Sequence, residues 1–179
     1  MEISQLLTRN DLVTAHLTRV FAYVCDVINY MPQKLLAKQD ERALMMAALL
    51  HDIGKTFWKS DLFFKPKEEL TVKEWEAMQR HPQIAASMLR SMGFPYPEVI
   101  RLVEYHHDRN QISKDLMLQI LAACDVYAAC TEVRPYRNGP IAQEDIIDDL
   151  QTFAPDFVID AIIEPLSLQN FKDNSRNAT

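Results

Sequence analysis

Apolar residues recur along this chain at three- and four-residue steps, and no stretch reads persuasively as a strand. Leu12, Val13, Leu17, Val20, Phe21, Val24 and Ile28 trace one face of a long amphipathic helix that Pro32 closes. Asp40-Glu41 reads as a second helix start, acidic residues being favoured in a first turn. Ala43 to Leu50 carries no charge, so that helix is expected to be buried nearly all round. Phe57 to Pro66 mixes aromatics with lysines without a clear period and reads as an ordered loop with at most a short helical turn.

Thr71-Val72-Lys73-Glu74 has the form of a capping box and predicts a helix from Val72 to about Arg80. His81-Pro82 breaks it, and a further helix runs from Pro82 to Met92, where Gly93 stops it. Val99, Ile100, Leu102 and Val103 mark a helix ending near His106-His107. Asp108 to Ser113 is short and polar, a loop by pattern. Leu116, Ile120, Leu121, Ala123, Cys124, Tyr127 and Cys130 form another buried face, ended by Arg134-Pro135-Tyr136-Arg137. Asn138-Gly139-Pro140 is a turn, and Ile141 to Leu150 and Pro155 to Ile163 are the last two helices. The expected fold is all-α, one domain over residues 1–165 followed by a polar, flexible tail over 166–179.

Composition narrows this reading. A chain of 179 residues with 48% hydrophobic content buries a core without staples, and 3 glycines argue against a turn-rich all-β fold. The formal charge of −6 disfavours a polymeric nucleic-acid groove or a polybasic membrane surface, though not a phosphate substrate held through metal. Cys25, Cys124 and Cys130 have neither disulfide-framework nor zinc-knuckle spacing and read as reduced core thiols. No leader-like start and no span of membrane-crossing length is evident, so the expected location is cytoplasmic.

The chemistry enters at Leu49-Leu50-His51-Asp52-Ile53-Gly54-Lys55, where an apolar helix delivers a histidine–aspartate pair into the interior and Gly54 lets the chain turn. A single such pair is weak evidence. A buried carboxylate nevertheless needs a cation or several donors, and Asp125, inside Leu-Ala-Ala-Cys-Asp-Val-Tyr-Ala-Ala-Cys, raises the same demand. His16 taken alone is more often a satisfied core residue than a ligand. Two protonated imidazoles at His106 and His107 would repel, whereas neutral ones sharing metal would not. All five histidines fall at helix ends or on apolar faces. With the two aspartates they supply too many ligands for one tetrahedral zinc, and enough for two divalent metals with open positions. Nitrogen and oxygen donors without thiolate favour iron or manganese, with zinc, cobalt, nickel or magnesium as alternatives.

The series His16, His51-Asp52 and Asp125 resembles the HD superfamily of metal-dependent phosphohydrolases. The fuller series is similar to the HD-GYP subgroup, bacterial phosphodiesterases that open and degrade cyclic di-GMP. It comprises His51-Asp52-Ile53-Gly54-Lys55, Lys65-Pro66, Leu70-Thr71, Glu74-Trp75, Met78, His81-Pro82, His106-His107, Asp125 and Arg134-Pro135-Tyr136-Arg137. Phe153-Ala154-Pro155 also matches, so the likeness covers residues 12 to 163. It implies a helical bundle of about seven or more helices around a two-metal site. It also implies one metal on His16, His51, Asp52 and Asp125, a second on His81, His106 and His107, and Asp52 shared by both.

Lys55 would stand by the attacked phosphate, and Arg134 and Arg137 match substrate-phosphate positions, a helix-end cap being the equal alternative. Three positions depart from the pattern. Asp108-Arg109-Asn110-Gln111 replaces the Gly-Tyr-Pro loop. Leu12 stands where some members carry a glutamate for a third metal, and Ala128 where an aspartate usually recurs.

The expected activity is hydrolysis of a nucleotide phosphoester by a hydroxide bridging two metals, with Asp52 and Lys55 as the catalytic residues. Cyclic di-GMP is the favoured substrate; a monophosphate, a dinucleoside polyphosphate or a linear dinucleotide are the others. The rival is a degenerate module that binds nucleotide or a partner and signals. Expected partners are thus a small nucleotide or cyclic dinucleotide, with a signalling protein or a second copy as further candidates, and neither polymeric nucleic acid nor membrane.

Overall fold

The computed structural model describes residues 3–32, 35–58, 60–132, 137 and 139–164. Arg134, the rest of its segment except Arg137, and the tail expected to be flexible lie outside the described residues. Within them the protein is all-α, without a strand. The order is α1 (Ile3–Tyr30), α2 (Lys38–Leu50), α3 (Val72–Gln79), α4 (His81–Ser91), α5 (Pro97–Tyr105), α6 (Arg109–Ile112), α7 (Leu116–Thr131), α8 (Gln143–Leu150) and α9 (Asp156–Ile163).

Helix α7 is the axis of the fold. Its sequence is apolar on every side, and ten of its residues are buried, among them Leu118, Ile120, Leu121 and Cys124. A helix hydrophobic all round has to be enclosed. Helices α1, α2, α5, α8 and α9 all pack on it. From α1 come Val20, Val24 and Val27; from α2, Leu44, Ala47 and Ala48; from α5, Leu102 and Val103. The alanines of α2 and α4 (Ala47, Ala48, Ala85, Ala86) contribute little volume, which lets the helices carrying the histidines approach closely.

Helix α1 starts at Ile3, well before the apolar stripe that announces it, because nothing between Ile3 and Asp11 breaks a helix. The end of α2 is less enclosed than its uncharged sequence predicts, with Leu49 exposed at 43%. The segment after α2 is not one loop but a chain of 3₁₀ turns, Ile53–Phe57, Ser60–Phe63 and Lys67–Glu69. The Asp108–Ser113 stretch, a loop by pattern, contains the single helical turn α6. Asp108 caps it, its carboxylate accepting from the amides of Asn110 (2.9 Å) and Gln111 (3.3 Å).

The capping box at α3 is present, with Glu74 N donating to Thr71 Oγ1 (3.3 Å) and Thr71 N donating to Glu74 Oε2 (2.8 Å). Helix α4 ends in a Schellman motif, in which Gly93 takes φ +66° and the amides of Gly93 and Phe94 donate to the carbonyls of Arg90 and Leu89. The three cysteines are free thiols, Cys124 buried. No helix among the described residues is long and apolar enough to cross a membrane.

Candidate metal centre

His51 and Asp52 leave the C-terminal end of α2, His81 opens α4, His106 and His107 follow α5, His16 projects from α1 and Asp125 from the middle of α7. The fold brings all seven together. Donor atoms of His16, His51 and Asp125 lie within 4.8 Å of one another, as do those of His81, His106 and His107, and a third group of His51, Asp52 and His106 joins them. Six of the seven residues are buried, four of them at 3% exposure or less; the His107 side chain is 43% exposed.

Asp52 lies between the two groups. Its Oδ2 is 3.6 Å from Nε2 of both His16 and His51, and its Oδ1 is 3.1 Å from His81 Nε2. Asp125 spans the same divide, with Oδ1 at 3.0 Å from His16 Nε2 and 3.7 Å from His51 Nε2, and Oδ2 at 3.7 Å from His107 Nε2. Both carboxylates thus lie between the two donor groups.

Three of the histidines are oriented by the end of the helix that precedes them in the chain. His51 Nδ1 donates to Ala48 O (3.0 Å), His81 Nδ1 to Met78 O (2.7 Å) and His106 Nδ1 to Val103 O (2.7 Å). The last carbonyls of a helix lack intrahelical partners, so a histidine just past the end satisfies one and is fixed by it. Each Nε2 is thereby left as the lone-pair nitrogen, aimed inward. His51 Nε2, His81 Nε2, His106 Nε2 and Asp52 Oδ1 are buried without a hydrogen-bond partner; the 3.1 Å approach of His81 to Asp52 is misaligned for a bond. Converging buried donor atoms left unsatisfied, from imidazoles and carboxylates, are the donor set of a divalent metal centre, and the residues fit one.

The electrostatics differ from residue to residue within the centre. Burial, helped by neighbouring histidines, holds His106 well below the ordinary imidazole value. The His107 ring keeps an exposed edge but packs on the rings of His81 and His106, 5.1 and 4.1 Å away between centroids, and its partial desolvation lowers it to about 4, so both are neutral at pH 7. His16 behaves oppositely. Burial works to lower it, but the hydrogen bonds its ring donates to Asp125 and Glu132 together outweigh burial and raise it to about 9. Burial works to raise Asp52, and the Lys55 ammonium leads the cationic neighbours that hold it well below the usual carboxylate range. Lys55 Nζ donates directly to Asp52 Oδ2 and lies 5.4 Å from the Trp58 ring centroid. Asp125 is also held low, burial being overcome by His16 and His51.

A cavity of about 320 Å³ opens onto this cluster. His16, Asp52, Lys55, His107 and Asp125 stand on its polar side, and Trp58, Phe63 and Val126 are among its apolar walls. Arg137 points elsewhere. Its Nε donates to Gly139 O (2.6 Å), and its Nη2 lies 2.7 Å from Cys130 O and 2.6 Å from Glu132 O. These contacts lie across the C-terminal end of α7.

One residue escaped the sequence reading. Glu132, directly after α7, places Oε1 2.9 Å from His16 Nδ1 and lines the same cavity. The signal available was its spacing, seven residues after Asp125 and so two turns along the same helix face.

The HD domain family model matches residues 13–130, and the chain belongs to that family. A cyclic di-GMP phosphodiesterase of Pseudomonas aeruginosa is 37% identical over 113 residues, 56% of this chain and 27% of the relative. A 3'3'-cGAMP-specific phosphodiesterase of Vibrio cholerae is 30% identical over 139 residues, 72% of this chain and 29% of the relative. A cyclic di-GMP phosphodiesterase response regulator of Xanthomonas campestris is 32% identical over 115 residues, 58% of this chain and 30% of the relative. The chain spans under a third of the length of these relatives.

Proposed function

We propose that this chain is a metal-dependent phosphohydrolase of the HD-GYP kind lacking the Gly-Tyr-Pro loop, and that it hydrolyses a cyclic dinucleotide, cyclic di-GMP first among them. The observation that carries this reading is the convergence of two donor groups on one cavity, with Asp52 offering one oxygen to each. His16, His51 and Asp125 would hold one divalent metal, His81, His106 and His107 a second, and Asp52 both, with iron or manganese favoured. Such metals, when bound, supply Lewis acidity that activates water and draws charge from phosphoryl oxygens.

The chain's own groups do the rest. Neutral His106 and His107 offer lone pairs without first losing a proton. Lys55, on the cavity wall beside Asp52, places a cation where negative charge develops on the phosphoryl group. Trp58 and Phe63 supply flat apolar surface beside it, suited to a nucleobase. The relatives named for cyclic di-GMP and for 3'3'-cGAMP support a 3',3'-linked ring as substrate.

The test is turnover by manganese- or iron-loaded protein of cyclic di-GMP, 3'3'-cGAMP, a linear dinucleotide and a mononucleotide. Hydrolysis of at least one cyclic dinucleotide is expected, and Asp52→Ala is expected to lose both bound metal and turnover. Full activity and full metal content in Asp52→Ala would defeat the scheme. A second reading, a module that binds the nucleotide without cleaving it, is favoured by Ala128 and by the single-turn connection from His107 to α7. Tight nucleotide binding without turnover in metal-loaded protein would establish it instead.

A further inference from the structure

Among the buried histidines of the centre, His16 is placed by a different device. His51, His81 and His106 each stand beside the free carbonyls of a helix end, which take their Nδ1 protons. His16 lies in the middle of α1, Ile3–Tyr30, where the carbonyls one turn back are already used by the helix. Its ring therefore needs an orienting acceptor from another element.

Glu132 supplies it. Oε1 is 2.9 Å from His16 Nδ1, and the carboxylate is held by Arg19 Nη1 at 3.4 Å, one turn further along α1 from His16. The Glu132 side chain is only 11% exposed, so solvent screens the contact little. A carboxylate accepts only, so in the metal-free site Nδ1 donates to Glu132 and Nε2 to Asp125 Oδ1, 3.0 Å away, and a metal has to displace only the inward Nε2 proton while Glu132 keeps the one on Nδ1. Helix α7 also sets Asp125, Ala128 and Glu132 along one face, and Ala128, fully buried, has no polar group to offer.

We propose that Glu132 is the positioning residue of the centre. Its carboxylate, anchored by Arg19, fixes the His16 ring with Nε2 inward and makes that nitrogen a stronger metal donor. This rests on the metal reading above. A carboxylate behind a ligating histidine both selects the tautomer and raises ligand basicity, and its loss weakens metal binding on the order of 10- to 100-fold.

The test is a titration of manganese alone into metal-free protein at fixed pH, followed by calorimetry and metal analysis, for wild type, Glu132→Gln and Glu132→Met. Circular dichroism confirms the helical content of each. Two binding phases are expected in wild type. Glu132→Met weakens one of them on the order of 10- to 100-fold and leaves the other within a few-fold. Glu132→Gln, which still accepts from Nδ1 but carries no charge, falls between wild type and Glu132→Met. Wild-type affinity in folded Glu132→Met, or equal weakening of both phases in both variants, overturns the assignment. Absence of manganese binding by wild type defeats the metal reading itself, which separates the two failures.

Discussion

A Cβ on Gly54 would lie 2.1 Å from the carbonyl oxygen of His81 and 3.0 Å from the amide nitrogen of Ala85. Gly54 has no positive φ, so its role is not the turn its type suggested but the close approach of the segment carrying Asp52 to the start of α4, which carries His81. Gly54→Ala must push these backbones apart, at a cost of about 1–3 kcal/mol of the overpacking kind. It should also separate Asp52 Oδ1 from His81 Nε2, now 3.1 Å apart. The expected outcome is a lower thermal midpoint together with a lost or weakened metal equivalent in the purified variant. A normal metal complement with unchanged stability would contradict the packing argument. Asp52, delivered into the interior by an apolar helix, and Asp125, inside an apolar run, were legible in the sequence because a buried carboxylate demands partners, whereas His16 was picked out only by its place in the HD-like series. Glu132 was not, since a carboxylate at a polar helix end is ordinary until the fold sets α1 against it. Arg137 shows the reverse, a motif position whose contacts are with backbone carbonyls.

At the scale of elements, the sequence spoke clearly where a local signal has a local cause. Thr71 and Glu74 cap α3, and Gly93 ends α4, as their types and spacing require. It spoke poorly where the signal is shared. Asp108 to Ser113 reads as a loop because its residues are polar, yet Asp108 makes a good cap and Ile112 is buried, which is enough for one turn of helix. Leu49 is apolar but exposed because burial of α2 depends on which neighbours end beside it, and sequence does not count neighbours. The two kinds of helix boundary make separable predictions. Thr71→Ala removes the N-cap of a helix with no buried residue, and should cost about 1 kcal/mol. The hydrogen bond between α3 and His81 is made at the far end of α3, at Met78 O. Denaturant unfolding should therefore show the stability loss, while metal content stays at the wild-type level. Loss of metal in Thr71→Ala would mean that α3 positions His81 as a whole rather than through its last carbonyls.

For the molecule as a whole, the centre ties α1, the end of α2, α4, the end of α5 and α7 to one point, so its protonation state is part of global stability. The signs can be worked out group by group for the metal-free protein. His16 has its folded pKa raised from 6.5 to about 9; its contribution is fully present below 6.5 and is lost as pH climbs through about 9. His107 is lowered from 6.5 to about 4, and its contribution is present above 6.5 and is lost as pH falls through about 4. His106 acts in the same direction as His107. Asp52 and Asp125, both lowered well below 3.8, add stability above that value and surrender it only in stronger acid. Opposed slopes meeting at the unperturbed imidazole value place the stability maximum of the metal-free protein near pH 6.5. Metal shifts that balance, because ligation at His16 Nε2 must displace the proton shared with Asp125, and metal bound to the native state alone stabilises it. Thermal midpoints measured from pH 5 to 9 should peak near 6.5 after chelation and at higher pH with manganese present, the gap between the curves widening as pH rises. Curves that stay parallel, or a metal-free maximum near pH 9, would show that His16 carries no extra proton in the metal-free centre.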